Sequence, residues 1–286
     1  MINSKMVPTM KRSGAFAPIL IVLAAPAFAH EDHCATVTAS VEAAGFSDSV
    51  AVTCSDSHAT LTSDTYPYHD MMTGITRTNE QVPIPTDYGA PIILAPQFDG
   101  TPLTRDAALG VAVNGVPIYD YTGGGEMSVD DLSHHQIQHD TLQTGQLDVC
   151  GGHAGRGDDY HYHVAPTCMI EQMENAGPDA IIGWAFDGFP IYGDTNPDGS
   201  AIAEGTLDVC NGQIDDTFGY RYHTSPDAPY IVQCLMGAVA NFDDLPRVRP
   251  LSAAGGGRGP DAGRPPRGGV DNLVFTQNAD GSRSMD

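Results

Sequence analysis

The sequence predicts a mainly β protein: a single disulfide-stapled domain with an internal pseudo-repeat and few short helices. Three observations predict it. The passage Gly110-Val-Ala-Val-Asn-Gly-Val-Pro-Ile-Tyr119 is answered by Gly183-Trp-Ala-Phe-Asp-Gly-Phe-Pro-Ile-Tyr192. Each copy is followed by Leu-Asp-Val-Cys (Leu147–Cys150, Leu207–Cys210) and then by Tyr-His-Tyr-His163 or Tyr-Arg-Tyr-His223. Six cysteines complete the pattern, and disulfides persist in oxidising compartments.

Taken in order, Lys11 and Arg12 precede an apolar run from Ala15 to Ala25 and a small-x-small signal, Ala27-Phe-Ala29. Residues 1–29 therefore read as a secretory signal peptide, the mature chain is expected to begin at His30, and the protein is expected to be periplasmic or secreted. No later apolar run is long enough to cross a membrane. From Cys34 to Thr62 the chain is rich in Thr, Val and Ala, with alternations such as Ser49-Val-Ala-Val-Thr53. That predicts strands, a hairpin closed by a Cys34–Cys54 bridge. Prolines between Pro83 and Pro102 argue for edge strands and loops. Asn114-Gly115 and Asp187-Gly188 sit between apolar alternations and predict two-residue hairpin turns, with positive φ at both central residues.

Ser128–His139 and Met169–Ala176 are the helix candidates, the first opened by a capping-box pair, Ser128 and Asp131. The expected domain runs over 30–245, with pseudo-repeats near 109–168 and 182–234. A Gly-, Pro- and Arg-rich linker (246–270) and a C-terminal strand and tail (271–286) follow. One cysteine stands on each side of both Tyr-x-Tyr-His strands, so Cys150–Cys168 and Cys210–Cys234 are expected beside Cys34–Cys54. That pairing leaves no thiol for nucleophilic catalysis.

Lys5 and Lys11 are the only lysines, so the expected mature chain can make neither a Schiff base nor a phosphate-loop contact through lysine. From His30 to Leu245 there are 32 acidic residues against Arg77, Arg105, Arg156 and Arg221. Such a surface repels nucleic acid and anionic membranes and favours cations; adaptation to saline surroundings would produce the same balance.

Cys150-Gly-Gly-His153, Asp159-Tyr-His-Tyr-His163 and Gly183-Trp-Ala-Phe-Asp-Gly-Phe-Pro-Ile-Tyr-Gly193 resemble the YHYH-domain family. The resemblance runs from about Leu109 to Cys234, with a looser echo at Tyr66-Pro-Tyr-His69. It implies an exported bacterial-type protein and no established activity.

The chemistry must then come from the residues. On a strand, His161 and His163 point to one face while Tyr160 and Tyr162 point to the other. With His153 beside the Cys150 bridge, the three imidazoles would form a metal site with an open position. Copper or zinc suits such ligands. Copy two has Gln213 and Arg221 in place of His153 and His161 and retains only His223, so the repeat by itself does not demand the first two. The alternative is that these histidines pack a β core through hydrogen bonds, and His223 is expected to be purely structural.

Copy one also carries 13 extra residues, including His134, His135 and His139. On a helix His135 and His139 would share a face and supply a further ligand or a lid; otherwise the insertion is a solvated polar loop. His30, if N-terminal, could chelate copper through its amine and ring. Asp194-Thr-Asn-Pro-Asp-Gly199 starts like a calcium loop, but position twelve is Gly205, so it reads as a turn. The expected function is an exported metal-binding protein. A metal-dependent hydrolase or copper oxidase-type enzyme, and a structural or adhesive β module without metal, are the alternatives. Three ligands with an open position serve carriage and catalysis alike.

Overall fold

The computed structural model describes residues 27–77, 81–124, 127–155 and 159–247, together with residue 1 and the strand residues 249–250, 275–277 and 283–285. The expected signal peptide falls almost wholly outside the described residues, and so do most of the expected linker and the turn after Gln277. No described helix is long and apolar enough to cross a membrane.

The chain opens with helix α1 (Ala27–Ala43), which corrects the expectation of strand from Cys34. Val37, Val41 and Ala44 are buried at i, i+4 and i+7, one face of a helix. Thr36 and Thr38 donate their hydroxyls to the carbonyls of Asp32 (2.9 Å) and Cys34 (3.0 Å), four residues back. Tertiary packing thus overrides a composition that favours strand: the Trp184 indole N–H donates to Ser40 Oγ (2.9 Å), and His33 meets the same ring edge-on. Only β1 (Ala51–Cys54) and β2 (His58–Ser63) make the expected hairpin.

Strand β3 (Thr86–Ile93) pairs along β2, and β4 (Phe98–Leu103) leads to the duplicated sheet. That sheet holds β5 (Gly110–Ala112), β6 (Pro117–Ile118), β7 (Gly152–Ala154) and β8 (Tyr160–Tyr162). Helix α2 (Thr167–Gln172) separates them from β9 (Gly183–Ala185), β10 (Pro190–Tyr192), β11 (Gly212–Asp215) and β12 (Gly219–His223). Strand β13 (Leu235–Gly237) pairs with β4, β14 (Arg249–Pro250) with β3, and β15 (Phe275–Gln277) with β16 (Arg283–Met285).

The eight-stranded order, β11-β12-β10-β9-β5-β6-β8-β7, reads the same from either end once the halves are matched. At the seam β5 and β9 run antiparallel, with Gly110 opposite Ala185, Val111 opposite Trp184 and Ala112 opposite Gly183. A pseudo-twofold axis therefore passes through the Val111–Trp184 pair. Gly110 and Gly183 allow this approach: a Cβ would stand 2.6 Å from the Trp184 carbonyl oxygen at the first and 2.8 Å from the Val111 carbonyl oxygen at the second. Val37, Leu61, Ile92, Val111, Trp184 and Val232 belong to one buried core.

The two Asx-Gly turns are where expected, but they are three-residue loops. Gly115 N–H donates to Ala112 O (2.8 Å) and Ala112 N–H to Val116 O (2.9 Å). Gly188 and Ala185 repeat both bonds at 3.0 Å. Gly115 and Gly188 have φ of 80° and 89°, whereas Asn114 and Asp187 are not among the positive-φ residues. A type I turn closed by a left-handed glycine produces that pattern. A Cβ on Gly115 would also lie 2.3 Å from Ser63 Cβ. Gly115→Val is expected to cost about 3 kcal/mol or more in chemical unfolding; wild-type stability would contradict the turn geometry.

The helix expected over Ser128–His139 shrinks to a 3-10 turn, Val129–Asp131, although the Ser128 N–H does donate to Asp131 (3.3 Å). The second helix begins and ends earlier than expected, as α2. All three disulfides form as expected, with Cα–Cα distances of 6.4, 5.0 and 4.8 Å, and no described cysteine is free. Cys34–Cys54 joins a helix to a strand rather than closing a hairpin.

Candidate metal centre

The tetrapeptide that ends in His163 puts its tyrosines and histidines on opposite faces. Tyr160 and Tyr162 are fully buried. Tyr160 donates to Asp148 Oδ2 (2.8 Å). Tyr162 accepts from Asn114 (3.0 Å) and donates to His69 Nε2 (2.7 Å), whose Nδ1 is held by the Asp70 carbonyl. The upstream Tyr66-Pro-Tyr-His69 echo thus delivers a histidine to the tyrosine face. His69 also lies near Cys150 and Cys168, but those sulfurs are bonded to each other and are not thiolate ligands.

On the other face, the β7–β8 register sets His153 directly across from His161. Residues so opposed share a face of the sheet, and this hairpin brings in the third imidazole more directly than the neighbouring disulfide does. His153, His161 and His163 are all buried, and one ligand atom from each falls within 4.8 Å of the others. Ring centroids are 5.0, 4.9 and 4.8 Å apart, and Tyr119 stacks on His161 at 4.2 Å.

Each Nδ1 has an acceptor. His153 faces the Gln146 carbonyl at 3.0 Å, His163 faces the Asp120 carbonyl, and His161 faces the Asp159 carbonyl and carboxylate at 3.2 Å each. A carbonyl oxygen only accepts, so these nitrogens carry the protons and every Nε2 keeps a lone pair. Outer-shell acceptors of this kind fix the tautomer of metal-binding histidines. The Nε2 atoms of His153 and His163 stand 3.2 Å apart: two lone pairs face each other with no proton between them.

The electrostatics suit a neutral, ligand-ready set. Burial first, then the nearby His161 ring when charged, pulls His153 down to about 3. Burial, then His161 and His153, holds His163 well below the ordinary histidine value. Burial pushes Asp159 up, but its bond to His161 and that ring's charge outweigh it and keep the carboxylate low.

Copy two repeats the frame without the ligands. Asp148 accepts from the N–H groups of Cys150 and Gly152, and Asp208 from those of Cys210 and Gly212. Tyr220 donates to Asp208 Oδ2 as Tyr160 does to Asp148. His223 donates Nδ1–H to the Gly193 carbonyl (2.9 Å), and its Nε2 accepts from the Gln213 amide (3.0 Å). His223→Ala leaves that amide short of an acceptor and empties a fully buried position. It is expected to cost about 1–3 kcal/mol while leaving metal content unchanged, read from denaturation curves beside metal analysis.

The insertion histidines are not part of the cluster. No helical face unites His135 and His139, and no described metal-holding group includes His134, His135 or His139. His135 Nε2 instead donates to buried Asp140 (2.6 Å), which also accepts from Tyr230 of copy two (2.9 Å). The loop's own carboxylate and Tyr230 thus compete for the histidine. The backbone of His30 lies in α1. Asp198 accepts from the N–H and hydroxyl of Ser200, the expected turn. Asp159 and Tyr119 stood in the sequence motifs without a role; a carboxylate just before an alternating His strand was the available signal.

Fold and cluster together define the class: a duplicated, disulfide-stapled β protein with a buried three-imidazole group near one edge of its central sheet. A family model described as YHYH protein matches residues 90–203, and the chain resembles that family there. The match takes in the whole histidine cluster and the Gly183–Gly193 passage. It starts upstream of Leu109 and stops short of Tyr220–His223. No curated protein and no solved structure matches the chain.

Proposed function

We propose that this chain is an exported metal-binding protein whose His153, His161 and His163 hold one transition metal ion, copper or zinc. The observation that carries it is the 3.2 Å approach of two Nε2 atoms whose rings have already committed their protons to carbonyls. A cation between them removes the repulsion, and burial supports a soft, partly dehydrated ion. Imidazole ligands suit zinc and copper, with copper favoured on raw affinity. The signal-like residues 1–29 and the three disulfides support export to an oxidising compartment.

A metal-dependent enzyme is the second reading, favoured by one observation: the group supplies three ligands, the number that leaves zinc an open position for water. Metal analysis of protein purified without a histidine tag tests the binding itself. About one tightly held copper or zinc per chain is expected. A chain that stays metal-free after exposure to both ions, with its disulfides intact, would leave only the structural β module.

A further inference from the structure

Arg105 is a buried cation without a counter-charge. It is 6% exposed, and no described carboxylate lies within ion-pair distance of it, in a chain dominated by acidic residues. Its Nη2 donates to the Leu245 carbonyl (3.1 Å), but its Nη1 has no hydrogen-bond partner among the described residues. Tyr88, 1% exposed, buries a phenol hydroxyl that likewise has none. Unpaired buried donors are costly, a charged one most of all.

These two orphans belong to one neighbourhood. The charge of Arg105 acts on both Tyr88 and Tyr119, opposing the upward push that burial gives each phenol. Tyr119 is the ring stacked on His161 at 4.2 Å. Asp243 also acts on Arg105 and Asp159 on both tyrosines, yet neither carboxylate reaches the guanidinium.

We propose that Arg105 Nη1 and the Tyr88 hydroxyl form a receptor for a small carboxylate on the Tyr119 side of the histidine cluster. One cationic and one neutral donor match the two oxygens of a carboxylate, and a charge-assisted bond is the stronger kind. The inference rests on the metal reading for its meaning: a carboxylate held there would place the rest of a small molecule beside the ion. The receptor itself needs no metal.

The test is titration of the full chain with acetate, and separately with inorganic phosphate, at constant ionic strength in chloride. Metal-loaded and chelator-stripped protein are followed by calorimetry and thermal shift. Acetate is expected to bind saturably in both forms. Tyr88→Phe, which keeps the ring, should weaken it severalfold, and Arg105→Gln by about tenfold or more, with metal content unchanged in both. No saturable acetate response in the wild type, or the same affinity in both variants, overturns the proposal; binding of phosphate but not acetate overturns the carboxylate class. If Arg105→Gln only lowers the melting temperature and leaves the acetate response intact, the arginine is a structural anchor and the proposal falls. Should that variant fail to fold, Tyr88→Phe decides alone. Failure of the metal reading shows separately, as wild-type protein that binds no ion whatever acetate does.

Discussion

Replacing His161 with alanine is expected to reduce retained metal to under about a tenth of the wild-type content while unfolding stays cooperative. His161 sits opposite His153 in the β7–β8 register and stacks on Tyr119, but no other ring depends on it for a proton acceptor. Its loss should leave the His153–His163 pair as a weak two-ligand site. Elemental analysis after dialysis, paired with a urea melt, reads both effects. A variant that keeps its metal would remove His161 from the site; one that unfolds outright would mean its ring is chiefly packing.

The second large effect is a gain. Gln213 lies across from Arg221 in the β11–β12 register as His153 lies across from His161. Arg221 is 1% exposed, donates to Asn196 Oδ1 (2.7 Å) and pairs with Asp215 (2.8 Å). Gln213 donates to the same Asn196 oxygen and to His223. A guanidinium thus supplies a permanent positive charge where the first half would take up an ion. The double variant Gln213→His, Arg221→His is expected to raise bound metal from about one to about two ions per chain, whereas Gln213→His alone should not. Unchanged stoichiometry in a folded double variant, with metal present in the wild type, would show that the halves differ in more than their ligands.

Much of this site was readable because its determinants are local and written twice. Alternation along one strand aligns His161 with His163, and comparison with Gln213 and Arg221 separates ligand candidates from scaffold. The cysteines were readable for the same reason. What escaped depends on partners far along the chain. Helix α1 is stabilised by Trp184, some 144 positions from Ser40, and nothing near Cys34 announces it. The insertion's histidines were readable as residues but not as neighbours, since Asp140 and Tyr230 decide where His135 goes. The turn type was missed for a subtler reason: Asn-Gly suits both a two-residue loop and a type I turn with a left-handed glycine.

The disulfide connectivity has a consequence for how the chain matures. Each bridge joins a cysteine to the next one along the sequence, at separations of 20, 18 and 24 residues. As a polypeptide emerges from its N-terminus, every second sulfhydryl to appear finds one unpaired predecessor, and that predecessor is its native partner. Oxidation in order of emergence therefore selects one of the fifteen pairings open to six cysteines. Reshuffling of wrong bridges is among the slow events of folding, and this arrangement lets the chain bypass it.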